Sequence, residues 1–175
     1  MSVRLAGVRL TLLIVVALAL SAQGLTNRRA PSFSLPDSAL KQHDILDYRG
    51  SWLLLAFVHS ECPVCTQLTV KLDAVKKKYG VKVAVLSIVT PPENQTTVAK
   101  YLAETKSTSP IVFDSGQVAI SYFKATPQNP VYDNPHLFVI NPAGMIVKDW
   151  NQVNVGTATL SSELDQLIAG SPAKK

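Results

Sequence analysis

Cysteine and histidine are scarce in this chain of 175 residues, which has two cysteines, Cys62 and Cys65, and three histidines, His43, His59 and His136. A structural zinc site needs about four ligands, and no second cysteine pair accompanies the first, so the composition disfavours such a site. A disulfide across two intervening residues would constrain almost none of the unfolded chain. A purely structural disulfide at this position would therefore add little stability. The remaining interpretation is a reactive dithiol.

Long hydrophobic runs are also lacking. The apolar run at residues 10–20 is shorter than the roughly 20 residues that span a bilayer as a helix. It follows Arg4 and Arg9 and precedes small or polar residues, which is typical of a secretory signal. We therefore predict a signal peptide at 1–24 and an exported, periplasmic or otherwise extracytoplasmic domain at 25–175, where disulfides persist. An uncleaved N-terminal membrane anchor is the alternative.

Clustered positive charge of the kind that binds nucleic acid is not indicated. The formal net charge is +5, and its excess includes the lysines at 76–78 and 174–175. Neither run is interleaved with aromatic residues, which favours solvated lysines over a nucleic-acid surface. We expect a monomer with no nucleic-acid partner, no bound cofactor and no metal.

The hydrophobic pattern predicts an α/β domain with a mixed sheet. The continuous apolar run at 52–58 is typical of a buried strand. The following helix carries an apolar face at three- and four-residue spacing, made of Cys65, Leu68, Leu72, Val75 and Tyr79, and should end at Gly80. Further strands are predicted at 81–89, 111–113, 136–140 and 145–150, and further helices at 94–105, 118–123 and around 160–168. The last two strands should form a hairpin, so the sheet mixes both directions.

The position of the cysteines explains why a dithiol here would react. Cys62 should precede the first helical residue, Pro63, since proline is favoured where the N–H group has no helical partner. At a helix N-terminus, free N–H groups and the helix dipole stabilise a thiolate, the species that attacks disulfides. Cys65 lies one turn later, at the start of the apolar face. We therefore predict Cys62 as the nucleophile and Cys65 as the thiol that resolves the mixed disulfide.

Several segments resemble one known family. A strand followed by CxxC at the start of a helix is the thioredoxin arrangement, and APSFSLPD (30–37) with DILDYRGSWLLLAFV (44–58) is similar to the N-terminal extension of redoxins. These are also called alkyl hydroperoxide reductase/thiol-specific antioxidant domains and include secreted TlpA-like thiol-disulfide oxidoreductases. The segment NPHLFVINPAGMIV (134–147) resembles the family's proline–strand–turn–strand unit. The resemblance implies a thioredoxin-like fold and a cis-proline at Pro135, beside the dithiol, that helps to hold a partner chain.

The resemblance also implies the activity: electron exchange with thiols and disulfides of exported proteins, with an unidentified electron donor or acceptor. The chain departs from the family where proton-relay carboxylates are usual, since Ala56 and Leu68 occupy those places. If a general base or a group that tunes the cysteine pKa is needed, the candidates are Glu61, His59 and His136. His136 follows Pro135, and it either faces the dithiol or bonds to nearby backbone.

Two other functions remain open at this point. The N-terminal segment is also compatible with a thiol-dependent peroxide reductase. Peroxidases that this segment resembles, however, have Thr or Ser three residues before the attacking cysteine, and this chain has His59 there. A copper chaperone would pair the two thiolates with an imidazole, for which His136 is the candidate, because soft sulfur and imidazole ligands suit copper. The direction of electron flow does not follow from the residues between the cysteines.

Overall fold

A computed structural model of the protein describes residues 24–130, 133–151 and 160–169. Its eight strands are β1 (Arg28–Arg29), β2 (Ser34–Pro36), β3 (Gln42–Asp44), β4 (Trp52–Phe57), β5 (Val83–Val89), β6 (Ile111–Phe113), β7 (His136–Ile140) and β8 (Met145–Trp150). Its four α-helices are α1 (Pro63–Tyr79), α2 (Gln95–Thr105), α3 (Gln117–Phe123) and α4 (Leu160–Ala169). The predicted signal peptide at 1–24 lies almost wholly outside the described residues. Within them, no helix is both long and apolar enough to cross a membrane.

Six of the strands form one mixed sheet, in the order β1-β8-β7-β4-β5-β6. Strands β4, β5 and β6 run parallel, and the hairpin of β7 and β8 joins antiparallel to β4. The predicted α/β class and the mixed sheet with a C-terminal hairpin are therefore confirmed. Strand β4 lies at the centre, so the segment that follows it, which carries the dithiol, emerges from the middle of the sheet.

Alternating side chains of β4 divide the core into two clusters, one on each face of the sheet. Leu54 and Ala56 pack with Cys65 in the first cluster, which lies beneath α1 and which we call the dithiol face. Leu53 and Phe57 belong to the second cluster, the opposite face. Because every residue of β4 is buried, the strand shows the continuous apolar pattern that its sequence predicted.

Helix α1 begins and ends where the sequence predicted. Cys62 is the N-cap, Pro63 is the first helical residue, and Gly80 closes the helix with its N–H donating to the carbonyl of Lys76. Gly80 has a φ of 57°, a conformation that costs a glycine little. The buried stripe includes Leu68 and Leu72, and each buried leucine contributes about 1.5–3 kcal/mol of transfer free energy. This packing fixes the helix against the sheet.

The N-terminal extension adds strands that periodicity did not predict. Strand β1 extends the large sheet by pairing with β8, while β2 and β3 form a separate hairpin. Within this hairpin Asp37 Oδ2 lies 2.9 Å from Nε2 of His43, whose Nδ1 lies 3.2 Å from the Tyr48 hydroxyl. The backbone of Asp37 also forms an isolated antiparallel β-bridge with Val112 of β6. His43 is therefore a structural residue of the extension and lies outside the dithiol region.

Candidate active site

Cys62 occupies the N-terminus of α1, and its sulfur takes part in the helix cap. Its Sγ accepts a hydrogen bond from the backbone N–H of Cys65 at 3.2 Å. The first N–H groups of a helix have no partner within the helix, and they favour negative charge at this end. Cys62 is partly exposed, whereas Cys65 has no exposed surface. Both cysteines are free thiols, and one of them is accessible to a partner.

Cys65 lies one turn behind Cys62, inside the core. Burial, followed by the neighbouring Cys62, raises the pKa of the Cys65 thiol well above its ordinary value. A backbone N–H opposes this effect: the His59 amide donates to Cys65 Sγ at 3.5 Å. Cys65 therefore stays a neutral thiol at neutral pH until Cys62 has formed a mixed disulfide that Cys65 can attack. This asymmetry fits the predicted roles of attacking and resolving cysteine.

The asymmetry predicts selective alkylation of the reduced, folded protein. Iodoacetamide at pH 7 should modify one cysteine, Cys62, because only thiolates react at a useful rate and Cys65 is both buried and protonated. Mass spectrometry of the digested protein would identify the modified residue. The same reaction in denaturant is the control and should modify both cysteines. Equal labelling of the two in the folded state would contradict the assignment.

Pro135 directly precedes β7, close to the end of β4, and its peptide bond with Asn134 is cis. The antiparallel register ends with the pair of Phe57 and His136, so Pro135 lies just beyond the last residue of β4. Leu137, two residues on, packs in the cluster that contains Cys65. Pro135 is itself buried. The conformation implied by the family resemblance is therefore present, and its role in holding a partner chain remains a prediction.

His136 does not face the dithiol, and this expectation was wrong. Side chains alternate along a strand, and His136 projects to the opposite face with Phe138, their ring centroids 4.5 Å apart. Its Nε2 lies 3.1 Å from Asp149 Oδ2, so the partner seen for this nitrogen is a carboxylate of the neighbouring strand β8. Only 5% of the His136 side chain is exposed. We interpret the residue as part of the aromatic core of that face.

Glu61 and His59, the other two candidates, lie in the segment between β4 and α1. Glu61 is exposed, and its backbone N–H donates to Nδ1 of His59 at 3.3 Å. The same nitrogen of His59 lies 3.2 Å from Oε1 of Glu93. The backbone of His59 contacts both cysteines, since its carbonyl accepts from the Cys62 N–H at 3.3 Å and its N–H donates to Cys65 Sγ. His59 is thus held by contacts of both its ring and its backbone, and a role for His59 or Glu61 as a base stays a prediction.

Glu93 is a carboxylate beside the site that the sequence did not single out. It precedes α2, and its side chain is 2% exposed. Its Oε1 accepts from the backbone N–H of Ser60 at 2.8 Å and from the Ser60 hydroxyl at 2.9 Å, while its Oε2 accepts from the Thr97 hydroxyl. Burial disfavours the ionised form, but the hydrogen bonds from Thr97 and Ser60 outweigh it and hold the pKa of Glu93 below its ordinary value. The only sequence signal was its place after a Pro-Pro break, at the start of a helix.

A groove of about 510 Å³ opens beside Cys62, between α1 and α2. Its lining includes Cys62 and Pro63 from the start of α1, and Lys100 and Glu104 from α2. A substrate sulfur that approaches Cys62 can therefore carry part of its chain along this groove. Among the described residues, no group of three or more His, Cys, Asp or Glu side chains is arranged to hold a metal ion.

Solved structures similar to this chain identify its fold. A candidate thiol:disulfide interchange protein DsbE from Chlorobium tepidum aligns with a TM-score of 0.67 at 24% identity, covering 82% of this chain and 95% of that one. A secreted disulfide oxidoreductase of Mycobacterium tuberculosis aligns with a TM-score of 0.62 at 17% identity, covering 79% of this chain and 96% of that one. The protein therefore has a thioredoxin-like fold.

The family follows from the sequence comparison. The model of the AhpC/TSA family matches residues 26–149, and the chain belongs to this family. The thioredoxin-like protein YneN of Bacillus subtilis (strain 168) is 26% identical over 143 residues, which cover 81% of this chain and 77% of that protein. The family resemblance inferred from the CxxC motif, the N-terminal segments and the segment at 134–147 is confirmed.

Proposed function

We propose that the protein is a thiol-disulfide oxidoreductase that exchanges electrons with disulfides of exported proteins through Cys62 and Cys65. The observation that carries the proposal is the asymmetry of the two sulfurs. The Sγ of Cys62 caps a helix, accepts the Cys65 N–H at 3.2 Å and borders an open groove, whereas Cys65 is fully buried one turn behind it. An accessible attacking sulfur and a protected resolving sulfur are what a two-step exchange requires.

In the reducing direction the reaction has two steps. The Cys62 thiolate attacks one sulfur of the substrate disulfide, forming a mixed disulfide and releasing the other substrate sulfur as a thiolate. Cys65 then loses its proton and attacks Cys62 Sγ, which forms the Cys62–Cys65 disulfide and releases the second substrate thiolate. Two electrons pass from the protein to the substrate. The reverse sequence oxidises a substrate dithiol, and an electron donor or acceptor of the same thiol class resets the protein.

The location and partner belong to the same proposal. The N-terminal segment has the pattern of a secretory signal, and one of the solved structures similar to this chain is described as a secreted disulfide oxidoreductase. Support for a protein substrate comes from the groove of about 510 Å³ beside Cys62, which has room for more than the reacting sulfur, and from the cis Pro135 next to the end of β4. We expect a monomer that meets its partners outside the cytosol.

The test is reduction of the interchain disulfides of insulin, followed by turbidity, with dithiothreitol as electron donor. The domain at residues 25–175 should accelerate the reaction well above dithiothreitol alone. Equilibration with glutathione gives the potential of the Cys62–Cys65 couple: about −270 mV would indicate a reductant, and about −120 mV an oxidant. The control is the same protein with both cysteines alkylated. Turnover no faster than this control would refute the proposal.

A thiol-dependent peroxide reductase is the second candidate, favoured by the AhpC/TSA family match itself. The residue three places before Cys62 is His59, whose ring is engaged with Glu93 and whose side chain offers no hydroxyl to peroxide. Rapid mixing of the reduced protein with hydrogen peroxide separates the candidates within the same set of assays. Oxidation far faster than that of a free cysteine would favour the peroxidase. A copper chaperone is less well supported, because His136, its candidate imidazole ligand, projects to the face opposite the dithiol.

A further inference from the structure

Glu93 connects the start of α2 to the segment that leads into the dithiol. Its Oε1 accepts both the N–H and the hydroxyl of Ser60, and the ring of His59 lies 3.2 Å away. With the Thr97 hydroxyl on its other oxygen, the carboxylate is surrounded by hydrogen-bond donors and almost fully buried. Hydrogen bonds to an ionised carboxylate are about twice as strong as neutral ones, so this carboxylate fixes the segment it holds.

The segment held by Glu93 contacts both sulfur-bearing residues through its backbone. The carbonyl of His59 accepts from the Cys62 N–H, and the N–H of His59 donates to Cys65 Sγ at 3.5 Å. That N–H is the one described backbone donor outside α1 that reaches the buried sulfur. A hydrogen bond to the ionised form of a group favours that form, so this donor matters most when Cys65 carries negative charge.

We propose that Glu93 is a positioning residue for the dithiol: by holding His59 and Ser60, it keeps the His59 N–H directed at Cys65 Sγ during the resolving step. The inference rests on the proposed exchange function and adds a residue to it. Glu93 does not touch either sulfur and acts only through the backbone that it anchors. The family's usual carboxylate positions are Ala56 and Leu68 here, so Glu93 is the carboxylate that the fold brings to this loop.

The resolving step is where the effect should fall. Cys65 gives up its proton to solvent, its electron pair attacks Cys62 Sγ, and the bond between Cys62 and the substrate sulfur breaks to release a thiolate. Negative charge develops on a buried sulfur at this moment, and a fixed N–H stabilises it more than a mobile one. The attack of Cys62 on the substrate precedes this step, and its sulfur is stabilised by the Cys65 N–H within α1.

The experiment uses rapid mixing of the reduced domain with dithiobis(nitrobenzoate), an aromatic disulfide that releases a coloured thiolate at each step. The first release reports attack by Cys62 and depends on reagent concentration, whereas the second reports resolution by Cys65 and does not. In Glu93→Ala we expect the second release to slow about tenfold and the first to stay within about twofold. Glu93→Gln keeps an oxygen for the Ser60 N–H and should restore the second release to within about threefold of the parent.

The matched control is Asp114→Asn, because Asp114 is also a buried carboxylate that accepts two backbone N–H groups, those of Val118 and Ala119. It should lower the melting temperature and leave both releases unchanged. If Glu93→Ala lowers the melting temperature as the control does, with an unchanged second release, Glu93 is merely structural and the inference fails. If Glu93→Ala does not fold, Ser60→Ala decides: a second release slowed about threefold supports the inference, and parental kinetics overturn it.

The same assay separates this inference from the proposed function. A parent protein that completes both releases but does not reduce insulin would refute the activity on protein disulfides. The variants would still test Glu93, because their readout is the internal resolving step. A parent that completes both releases and reduces insulin, with Glu93→Ala indistinguishable from it in both, would refute the role of Glu93 alone.

Discussion

Replacing Cys62 with serine is expected to reduce disulfide exchange to the uncatalysed rate, a loss on the order of 10³-fold or more. A serine hydroxyl at the cap of α1 remains protonated at neutral pH and is a poor nucleophile toward sulfur. Replacing Cys65 with serine should have a different result. Cys62 still attacks, but no second sulfur resolves the intermediate, so a stable mixed disulfide with the substrate accumulates.

Both results can be read in one experiment with a disulfide-containing protein such as insulin. Non-reducing electrophoresis and mass spectrometry should show the covalent adduct for Cys65→Ser and no adduct for Cys62→Ser. Ser121→Ala is a suitable control, because Ser121 lies on the exposed surface of α3 and its hydroxyl donates to the Gln117 carbonyl of the same helix. Adduct formation by Cys62→Ser through Cys65 would reverse the assigned roles of the two sulfurs.

The features that the sequence predicted are those set by local physics. The start of α1 follows from Cys62 and Pro63, because capping and the preference for proline at the first helical position act within one turn. The apolar stripe of α1 and the buried run of β4 depend on periodicity alone, and both were confirmed. The reactive end of the site, a helix N-terminus that carries a sulfur, therefore needed no tertiary information.

The environment of the dithiol depends on contacts between segments that are distant in sequence. The sequence therefore did not reveal one residue of this environment and misplaced another. Glu93 reaches Ser60 across 33 positions of sequence, and no local pattern marks a loop carboxylate as buried. His136 shows a different failure, because the alternation along β7 already determines its face. Pro135, Leu137 and Val139 alternate along the chain with His136 and Phe138. The side chain of His136 must therefore project to the face away from the dithiol.

Aromatic clustering on the opposite face was equally invisible in the sequence. Only 7% of the residues are aromatic, yet Phe57, Tyr122, Phe123 and Phe138 meet there. They come from β4, α3 and β7, and their proximity follows only from the strand order. The small number of aromatic residues is offset by their concentration in one cluster.

Replacing Phe138 with alanine is therefore expected to produce the largest loss of stability among core substitutions of this face. The side chain has no exposed surface, and its ring lies 5.3 Å from that of Tyr122 and 6.0 Å from that of Phe57, both at steep angles. Removing a buried phenylalanine costs about 3–5 kcal/mol, a value that already includes the loss of its contacts with neighbouring rings. For a protein of this size, the melting temperature should fall by roughly 6–20 °C.

Because Phe138 lies on the face away from Cys65, its loss should change stability without changing the chemistry. Thermal unfolding followed by circular dichroism measures the first quantity, and the two thiolate releases at 25 °C, where the variant remains folded, measure the second. Phe138→Leu is the matched control and should lose less stability, since it leaves a smaller cavity. A slower second release in folded Phe138→Ala would mean that the two faces are coupled through β4 and β7, and that packing under the sheet helps to set the geometry of the resolving sulfur.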